Sequence, residues 1–339
     1  MTEALAGPTL QTLREGPSSL SEIRRPIEQD LEAFRVYFRD SMRSRVRVLD
    51  LVTRYMLRRK GKQLRPILVL LSAAACGSVS RRSYVAAALV ELLHTATLVH
   101  DDVVDGAERR RGILSINAVW KNRIAVLFGD FLLSRGLLLA LEHEAYSLLH
   151  VVSDAVKRMS EGELLQMDTA RRLDITEETY FRIISDKTAS LFAACTACGA
   201  ISATDDGEVV ARMAELGEKL GLAFQIRDDL FDLGGEDVGK PVGNDLRERK
   251  ITLPLIHALR KASAGERRKI LRIVRKSKKT SDDIRQVSAF VEREGGISYA
   301  RSVMSSFAEE AQTIASSLEA GAARDSLIQL IDFVVDRRR

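Results

Sequence analysis

The sequence predicts an all-α protein, a single large helical bundle with a central active-site cavity. Six prolines occur in 339 residues, and none lies between Pro66 and Pro241. Because a proline inside a helix costs about 3 kcal/mol, so long a span without one favours consecutive helices. Apolar residues also recur at three- and four-residue spacing, and no run alternates with the two-residue period of a strand. We therefore expect no sheet.

The predicted elements follow this pattern along the chain. Residues 1–20 are predicted to form a flexible N-terminal arm, and residues 21–339 the helical domain. Within that domain, the segment 234–250 is rich in glycine and is predicted to be an internal loop. Three segments are predicted to be buried helices because they are apolar nearly all round: YVAAALVELLHTATLVHDD (84–102), VLFGDFLLSRGLLLALE (126–142) and AELGEKLGLAFQIRDDLFDL (214–233).

Composition narrows the class of protein. A net charge of +5 suits an acidic ligand or an anionic surface. The basic segment 260–279 has no aromatic residue to stack on bases, so we expect a solvated helix face and no nucleic-acid partner. Three cysteines exclude a disulfide framework, and the pair Cys195 and Cys198 lacks the second pair of a zinc site. With no signal peptide and no uninterrupted membrane span, we expect a cytoplasmic protein with at most a peripheral membrane contact.

Two acidic motifs dominate the sequence. LVHDDVVD (98–105) and IRDDLFD (226–232) each close an apolar segment, near the predicted C-terminus of a helix. There the helix dipole disfavours added negative charge, so three acids in one place require a cation. A ligand set of oxygens without thiols favours Mg²⁺ before Ca²⁺. The candidate metal ligands are Asp101, Asp102, Asp105, Asp228, Asp229 and Asp232.

Several cationic residues stand near these acids in the sequence. Magnesium usually completes its ligand shell with water and substrate phosphates, so the two motifs indicate a diphosphate ligand. Arginine matches phosphate geometry through its planar fork of donors. The candidate cations are Lys62, Arg65, Arg110, Arg111, Lys187, Lys240 and Lys250.

Together these motifs resemble the trans-polyprenyl diphosphate synthases, the all-α head-to-tail prenyltransferases, and in particular the long-chain octaprenyl and heptaprenyl type. The resemblance covers roughly residues 25–335. Its motifs occur in family order: GKQLRP, His94, DDVVD followed by RRG, Lys187–Thr188, Phe224–Gln225, DDLFD, Lys240 and Lys250.

The resemblance implies a role for each site residue. Asp101, Asp102 and Asp105 would hold Mg²⁺ on one side of an allylic diphosphate. Asp228 would hold it on the other side, with Asp229 and Asp232 contributing more loosely. Three ions would be bound per site. Isopentenyl diphosphate would be bound by Lys62, Arg65, His94 and Arg111. Arg110 would contact the allylic diphosphate, and Lys250 would lie on the loop that closes the site. The leaving diphosphate or the developing cation would be steadied by Lys187, Thr188, Gln225 and Lys240. A homodimer is also implied.

By the same resemblance, the reaction ionises the allylic diphosphate, adds isopentenyl diphosphate and loses a proton, with water excluded from the cavity. Ala96 lies five residues before Asp101, so a small side chain about 7.5 Å deeper leaves room for a product of about C35 to C50 to grow between helices. Leu93 and Leu89 are candidates for the floor. The expected primer is farnesyl or geranylgeranyl diphosphate. Arg249 stands where the family frequently has glycine.

Four other interpretations remain. A farnesyl or geranylgeranyl diphosphate synthase would share the motifs but make a shorter product. A terpene cyclase shares the first acidic motif but normally lacks the second. A metal phosphohydrolase would need more histidines at metal-binding spacing than His100–Asp101 provides. A non-catalytic partner subunit would be free to lose its aspartates, and this chain keeps all six.

Overall fold

The structure, a computed structural model, describes residues 19–58, 63–110, 113–173, 175–233 and 243–336. A 3₁₀ turn spans Arg25–Ile27 and a π-helical turn spans Ser185–Ala189. The α-helices are α1 (Leu20–Ile23), α2 (Glu28–Ser41), α3 (Arg47–Leu57), α4 (Leu64–Cys76), α5 (Arg81–Val104), α6 (Ile116–Glu142), α7 (Tyr146–Arg172), α8 (Glu177–Ile184), α9 (Ser190–Ala203), α10 (Gly207–Asp232), α11 (Asn244–Arg247), α12 (Leu253–Lys261), α13 (Ala264–Arg275), α14 (Ser281–Arg293), α15 (Gly296–Ser316) and α16 (Ala322–Asp336).

The all-α prediction is confirmed, with one small exception. Strands β1 (Arg109–Arg110) and β2 (Ile113–Leu114) pair antiparallel in a hairpin that follows the first acidic motif. The expectation of no sheet was wrong at this point because two residues per strand are too few to produce an alternating pattern. Of the predicted N-terminal arm, residues 1–18 lie outside the described residues. Ser19 already caps α1 by accepting a hydrogen bond from the backbone N–H of Glu22.

Helix α9 forms the centre of the bundle. Eleven of its fourteen residues are buried, and it packs against α4, α5, α7 and α10. Glycines at the helix contacts allow α4 and α10 to approach α9 closely. A side chain at Gly217 would come within 2.5 Å of the backbone oxygen of Phe192, and one at Gly199 within 2.4 Å of that of Val69. Cys195 and Cys198 are fully buried here, and burial raises the pKa of both thiols, to about 12 for Cys195.

Helices α5 and α6 are both long and apolar enough to cross a membrane by length and composition alone. Their burial differs. The most apolar window of α5 is 67% buried inside the protein, which identifies α5 as a core helix, whereas that of α6 is 39% buried. The path of α6 is broken at Lys121, where φ is +71°. Beyond this break α6 carries an exposed apolar face, which is discussed below.

Candidate active site

Both acidic motifs occur where a helix ends, as the sequence predicts. Helix α5 ends at Val104 and is capped by Asp105, and α10 ends at Asp232. Where these ends lie relative to each other follows from their contacts with α9. The Ser202 hydroxyl near the end of α9 donates to the Ser83 hydroxyl near the start of α5, at 2.8 Å. Helix α5 therefore runs antiparallel to α9.

Helix α10 also runs antiparallel to α9. A Cβ placed at Gly217 would meet Thr196 and Phe192, whereas one placed at Gly221, a turn later, would meet Ala189, just before α9 begins. At 1.5 Å per residue, Asp101 lies about 9 Å beyond the start of α9, and Asp228 about 10 Å beyond it. The two acidic motifs thus lie at the same end of the bundle and at similar depth.

The same end of the bundle receives the start of α4. Gly199 lies against Val69 and Ser72, and Gly77 lies against Ala203, so α4 runs parallel to α9. Arg65, in the first turn of α4, therefore lies near the acidic end of the bundle. Its positive charge acts to lower the pKa of Cys195 in the first turns of α9, in agreement with this position, although burial raises that pKa overall. His94 lies on α5, two turns before Asp101, and is 6% exposed.

The aspartates of the second motif occupy three different environments. Asp228 is exposed, and Asp229 is 4% exposed. Both carboxylate oxygens of Asp229 accept hydrogen bonds, from the Tyr180 hydroxyl at 2.6 Å and from the Gln225 side-chain amide at 2.9 Å. The amide carbonyl of Gln225 in turn accepts from the Thr188 hydroxyl at 2.8 Å. Asp228 is thus the member of the motif best placed to reach a ligand.

Asp232 holds the following segment. Its two oxygens accept the backbone N–H groups of Asn244 and Asp245, each at 2.9 Å, and its carbonyl accepts that of Gly243 at 2.8 Å. These bonds fix the start of the short helix α11 against the end of α10. Asp232 therefore has a structural role that the sequence did not indicate, beside the loose metal contact predicted for it.

The first motif has one buried and two exposed members. Asp102 is 3% exposed, while Asp101 and Asp105 are exposed. The Asp102 backbone carbonyl accepts the N–H of Ala107 at 2.9 Å and the Asn117 side-chain amide at 3.2 Å. These bonds tie the end of α5 to the segment before the hairpin and to the start of α6. The carboxylates of Asp101 and Asp105 remain exposed at this end of the bundle.

A cleft of about 630 Å³, including space open to solvent, lies beside the second motif. Five residues predicted from the sequence line it: Lys187, Thr188, Gln225, Asp229 and Lys250. Lys187 lies on the π-helical turn, a form of helix that is frequent at functional sites. A side chain at Gly162 would come within 2.7 Å of the Lys187 backbone nitrogen, so this glycine lets α7 approach the turn closely.

Several residues that support the cleft were missed at the sequence level. Tyr180 holds Asp229, and Glu163 forms an ion pair with Lys187. The guanidinium of Arg158 donates to Asp186 at 2.8 Å and to Ser185 at 2.9 Å, which fixes the first residues of the π-helical turn. No local pattern marks these residues, because each acts across 24 to 49 positions of the chain and depends on helix packing.

Four predicted residues cannot be placed in the cavity. Lys62, Arg111 and Lys240 lie outside the described residues, and of Arg110 only the backbone, in β1, is described. Their roles remain predictions. Lys250 is described: it forms an ion pair with Glu248 at 2.5 Å, which raises its pKa against the opposing effect of burial.

The side chains at the acidic end of the bundle determine which metal ion could bind there. Within the part of the chain that the structure describes, no three acidic, histidine or cysteine side chains converge on one point. The exposed donors Asp101, Asp105 and Asp228 are all carboxylates at the same end of the bundle. A hard divalent ion fits such a set if water and phosphate oxygens complete its shell, which is how magnesium is usually bound.

Asp229 and Asp245 make stability depend on pH in the metal-free protein. Burial, and then the neighbouring Asp245 charge, raise the pKa of Asp229 to about 7, and burial followed by Asp232 raises that of Asp245 to about 6. Both carboxyls therefore hold a proton in the folded state at pH values where the unfolded chain, with a pKa of 3.8, has lost it. Because the folded state binds more protons, stability should fall as pH rises from about 4 to about 7.

Thermal melts in chelator between pH 5 and 8 would measure this slope, and the Asp229→Asn variant should flatten it. Asparagine can be accommodated: if the Gln225 amide turns over, its carbonyl accepts from the new amide while Tyr180 still donates to the remaining oxygen. The exposed Asp154, changed to asparagine, is the control. An unchanged slope in the Asp229→Asn variant would show that the carboxyl is ionised throughout.

Arg249 adopts a backbone conformation that favours glycine. Its φ is +62°, and it lines the cleft next to Lys250. A residue with a side chain pays about 1–2 kcal/mol to adopt the left-handed region, and glycine does not. Glycine also makes the unfolded chain more flexible, which offsets part of the gain, so Arg249→Gly should stabilise the protein by roughly 0.5–1 kcal/mol. Chemical denaturation measures the change. Arg249→Ala, which keeps the strain and removes the charge, separates the two effects and should not stabilise.

Comparison with known proteins identifies the class. The family model "Polyprenyl synthetase" matches residues 46–291. The chain is 36% identical over 319 residues to an all-trans-nonaprenyl-diphosphate synthase (geranyl-diphosphate specific) of Rhodobacter capsulatus, covering 93% of this chain and 97% of that protein. It is 37% identical over 286 residues to a short chain isoprenyl diphosphate synthase of Methanothermobacter thermautotrophicus, covering 82% and 86%.

A solved structure agrees with the sequence comparison. The crystal structure of a polyprenyl synthase from Caulobacter crescentus CB15, complexed with calcium and isoprenyl diphosphate, superposes with a TM-score of 0.86 at 33% identity, covering 96% of this chain and 100% of that one. The fold and the paired acidic helix ends thus define an isoprenoid-coupling enzyme. The chain belongs to the polyprenyl synthetase family and is a trans-prenyltransferase.

Proposed function

We propose that this enzyme extends farnesyl or geranylgeranyl diphosphate with isopentenyl diphosphate to a long-chain all-trans polyprenyl diphosphate of about C35 to C50. The observation that supports this product length is the small side chain of Ala96 on α5. Leu93, Ala96 and His100 share one helical face because they are three and four residues apart. Leu93 lies against Gly136 of α6, and His100 against Gly129. Ala96 therefore faces the same helix between two glycines.

This α5–α6 seam suits a growing apolar chain. Because Leu93 packs against Gly136 and His100 against Gly129, Ala96 is the one small side chain between them on this face of α5. Leu93, at 3% exposed, and Leu89, fully buried, stand further from the acidic end. A chain anchored by its diphosphate at Asp101 would run along this seam and meet Leu93 about 12 Å deeper, at 1.5 Å per residue. We assign Ala96 as the open position and Leu93 as the first barrier.

The proposed metal is Mg²⁺, with three ions per site held by Asp101, Asp102 and Asp105 from one motif and by Asp228 from the other. Support comes from the oxygen-only donor set and from the calcium in the Caulobacter crescentus structure. When bound, the ions supply positive charge that stabilises the leaving diphosphate. Asp229 and Asp232 contribute by holding Tyr180, Gln225 and the start of α11 in place.

The protein's own groups orient the reaction. Lys187 and Lys250, on the rim of the cleft, would neutralise oxygens of the departing diphosphate. The Thr188 hydroxyl and the Gln225 amide, already bonded to each other, would face the developing positive charge with their oxygen dipoles. Arg65 and His94, near the start of α4 and on α5, would bind isopentenyl diphosphate. The apolar helix walls keep water from the allylic cation.

The direct test is incubation with Mg²⁺, labelled isopentenyl diphosphate and either farnesyl or geranylgeranyl diphosphate, with the products sized by chromatography. A ladder that extends to about C35 to C50 is expected. A ladder that stops at C20 would contradict the long-chain assignment. Metal-independent release of inorganic phosphate would instead favour hydrolysis. The identity of the better primer follows from the relative kcat/KM values.

We further propose that the enzyme is a cytoplasmic homodimer. Exposed apolar residues follow the outer face of α6 and continue on α7, forming the α6–α7 patch: Val119, Val126, Leu127, Leu133, Leu137, Leu138, Leu141, Tyr146, Leu164 and Met167. Exposed apolar patches of this kind mark protein interfaces. A second copy of the chain would cover the patch, and expression as a fluorescent fusion would test the location.

Placing charge in the α6–α7 patch should prevent the dimer. The side chains of Leu127 and Leu138 are 54% and 46% exposed, so Leu127→Glu with Leu138→Glu should leave the fold intact while burying two charges at the interface. Light scattering after gel filtration should then report one chain instead of two. Val36→Glu on α2, also an exposed apolar position at 51%, is the matched control and should not change the mass.

A further inference from the structure

A second group of exposed apolar residues lies around α3 and the hairpin. Among the described residues, the large apolar side chains that are exposed belong either to the α6–α7 patch or to this second group, apart from Val36. We call the second group the hairpin patch. It consists of Val46, Val48 and Leu51 around α3, Val104 at the end of α5, and Ile113 and Leu114 in β2.

Contacts join the α3 and β2 parts of the hairpin patch. The Tyr55 hydroxyl donates to the Leu114 carbonyl at 2.8 Å, and the Tyr55 ring meets Trp120 edge-on with ring centroids 5.0 Å apart. Val48, Leu51 and Tyr55 share one face of α3 because they are three and four residues apart. The α3 face is therefore continuous with the hairpin that follows the first acidic motif.

The hairpin patch is bordered by positive charge. Residues 43–58 contain five arginines and one aspartate. Arg54 pairs with Asp50, and Arg43 with Asp40. In the described part of the chain, no acidic partner is present for Arg45, Arg47 or Arg58, all of which are exposed. A short helix with exposed aliphatic residues on one side and unpaired arginines beside them is typical of a segment that lies in a membrane interface.

We propose that the hairpin patch binds an anionic lipid bilayer, with its aliphatic side chains in the headgroup region and its arginines on the lipid phosphates. The patch adjoins Asp105 and the first acidic motif, so binding would hold the acidic end of the bundle beside the bilayer. The amphiphilic primer and product could then exchange with the membrane. That benefit rests on the proposed function, whereas lipid binding by the patch does not.

Charge and apolar surface together select this ligand. A nucleic acid would need stacking side chains, and the exposed residues of the hairpin patch are aliphatic. A second copy of this chain would have to cover five arginines with the same five arginines, since a twofold interface brings a surface onto itself. The other basic region, around α13, carries more positive charge but no exposed large apolar residue, so it serves as an internal control.

The test uses the full chain and vesicles of phosphatidylglycerol with phosphatidylcholine, compared with phosphatidylcholine alone. Trp120 is the single tryptophan and borders the patch, so its quenching by bromine-labelled lipid reports contact directly. We expect quenching and co-sedimentation with the anionic vesicles only. Arg45→Gln with Arg47→Gln should weaken the binding about 10-fold or more, and so should Val48→Ser with Leu51→Ser.

Three outcomes would overturn the proposal. The first is unchanged lipid binding by both α3 variants. The second is an equal loss in the control Arg268→Gln with Arg272→Gln on α13, which would show nonspecific attraction of a basic protein. The third is a change of oligomeric state in the α3 variants, which would assign the patch to contact between copies. None of these measurements uses turnover. A negative lipid-binding result therefore does not bear on the proposed long-chain product, and a negative product assay does not bear on lipid binding.

Discussion

Replacing Asp101 or Asp228 by asparagine should lower kcat for condensation by about 100- to 1,000-fold, the range found when one group that stabilises developing charge is removed. Both side chains are exposed at the ends of apolar helices, on the same end of the bundle. Asparagine keeps their size but removes the charge that would hold the metal. Single-turnover assays with Mg²⁺ and an allylic primer measure the loss.

The same two substitutions should not weaken the fold. Each removes a negative charge near a helix C-terminus, where the helix dipole disfavours it. The free energy of unfolding of the metal-free variants should therefore equal that of the parent or exceed it by about 0.3–1 kcal/mol. Asp154→Asn, at an exposed site on α7, is the control for the charge change and should retain full activity. A variant that loses activity and stability together would indicate a structural role instead.

Replacing Ala96 by phenylalanine should convert the enzyme from a long-chain to a short-chain synthase, so that extension of the primer stops after the first one or two condensations instead of continuing to about C35 to C50. The residue is 3% exposed and faces α6 between Gly129 and Gly136, so a ring there closes the α5–α6 seam one to two turns below Asp101. The first condensation occurs above this point and should keep its rate within a few-fold. Product chromatography with the same primer and isopentenyl diphosphate shows the change.

Overpacking is the risk in this experiment, because adding a large side chain between packed helices commonly costs about 1–3 kcal/mol. Ala96→Leu, an intermediate size, provides a graded control and should shorten the product by less. Leu93→Ala should act in the opposite direction and lengthen it. If all three variants make the parent product, the growing chain does not pass along this seam.

The two acidic motifs could be predicted from sequence because their meaning is local. An acid-rich end on an apolar helix is evident from composition and spacing, and the structure places both motifs at helix ends, as expected. The division of labour within the second motif was not evident. That Asp229 binds Tyr180 and Gln225, while Asp232 caps α11, depends on which helices pack together, and the six carboxylates look alike in the sequence.

The exposed face of α6 could not be predicted from the sequence. The hydrophobic pattern of the 126–142 segment correctly predicted a long apolar helix but also predicted burial nearly all round, and α6 instead leaves one face exposed. Sequence periodicity alone cannot distinguish a face that is buried within the chain from one that is covered by a second molecule. The expectation of a homodimer came from family resemblance, and the exposed face of α6 is the surface that we propose for it.

Calorimetric binding of a non-cleavable allylic diphosphate analogue tests directly whether both acidic motifs hold one diphosphate through divalent ions. With Mg²⁺, Asp101→Asn and Asp228→Asn should each abolish most of the metal-dependent affinity, and the double variant should bind no more weakly than either one, since both act through the same ligand. Losses that simply add, or affinity that survives either change, would show that the two motifs do not share a diphosphate.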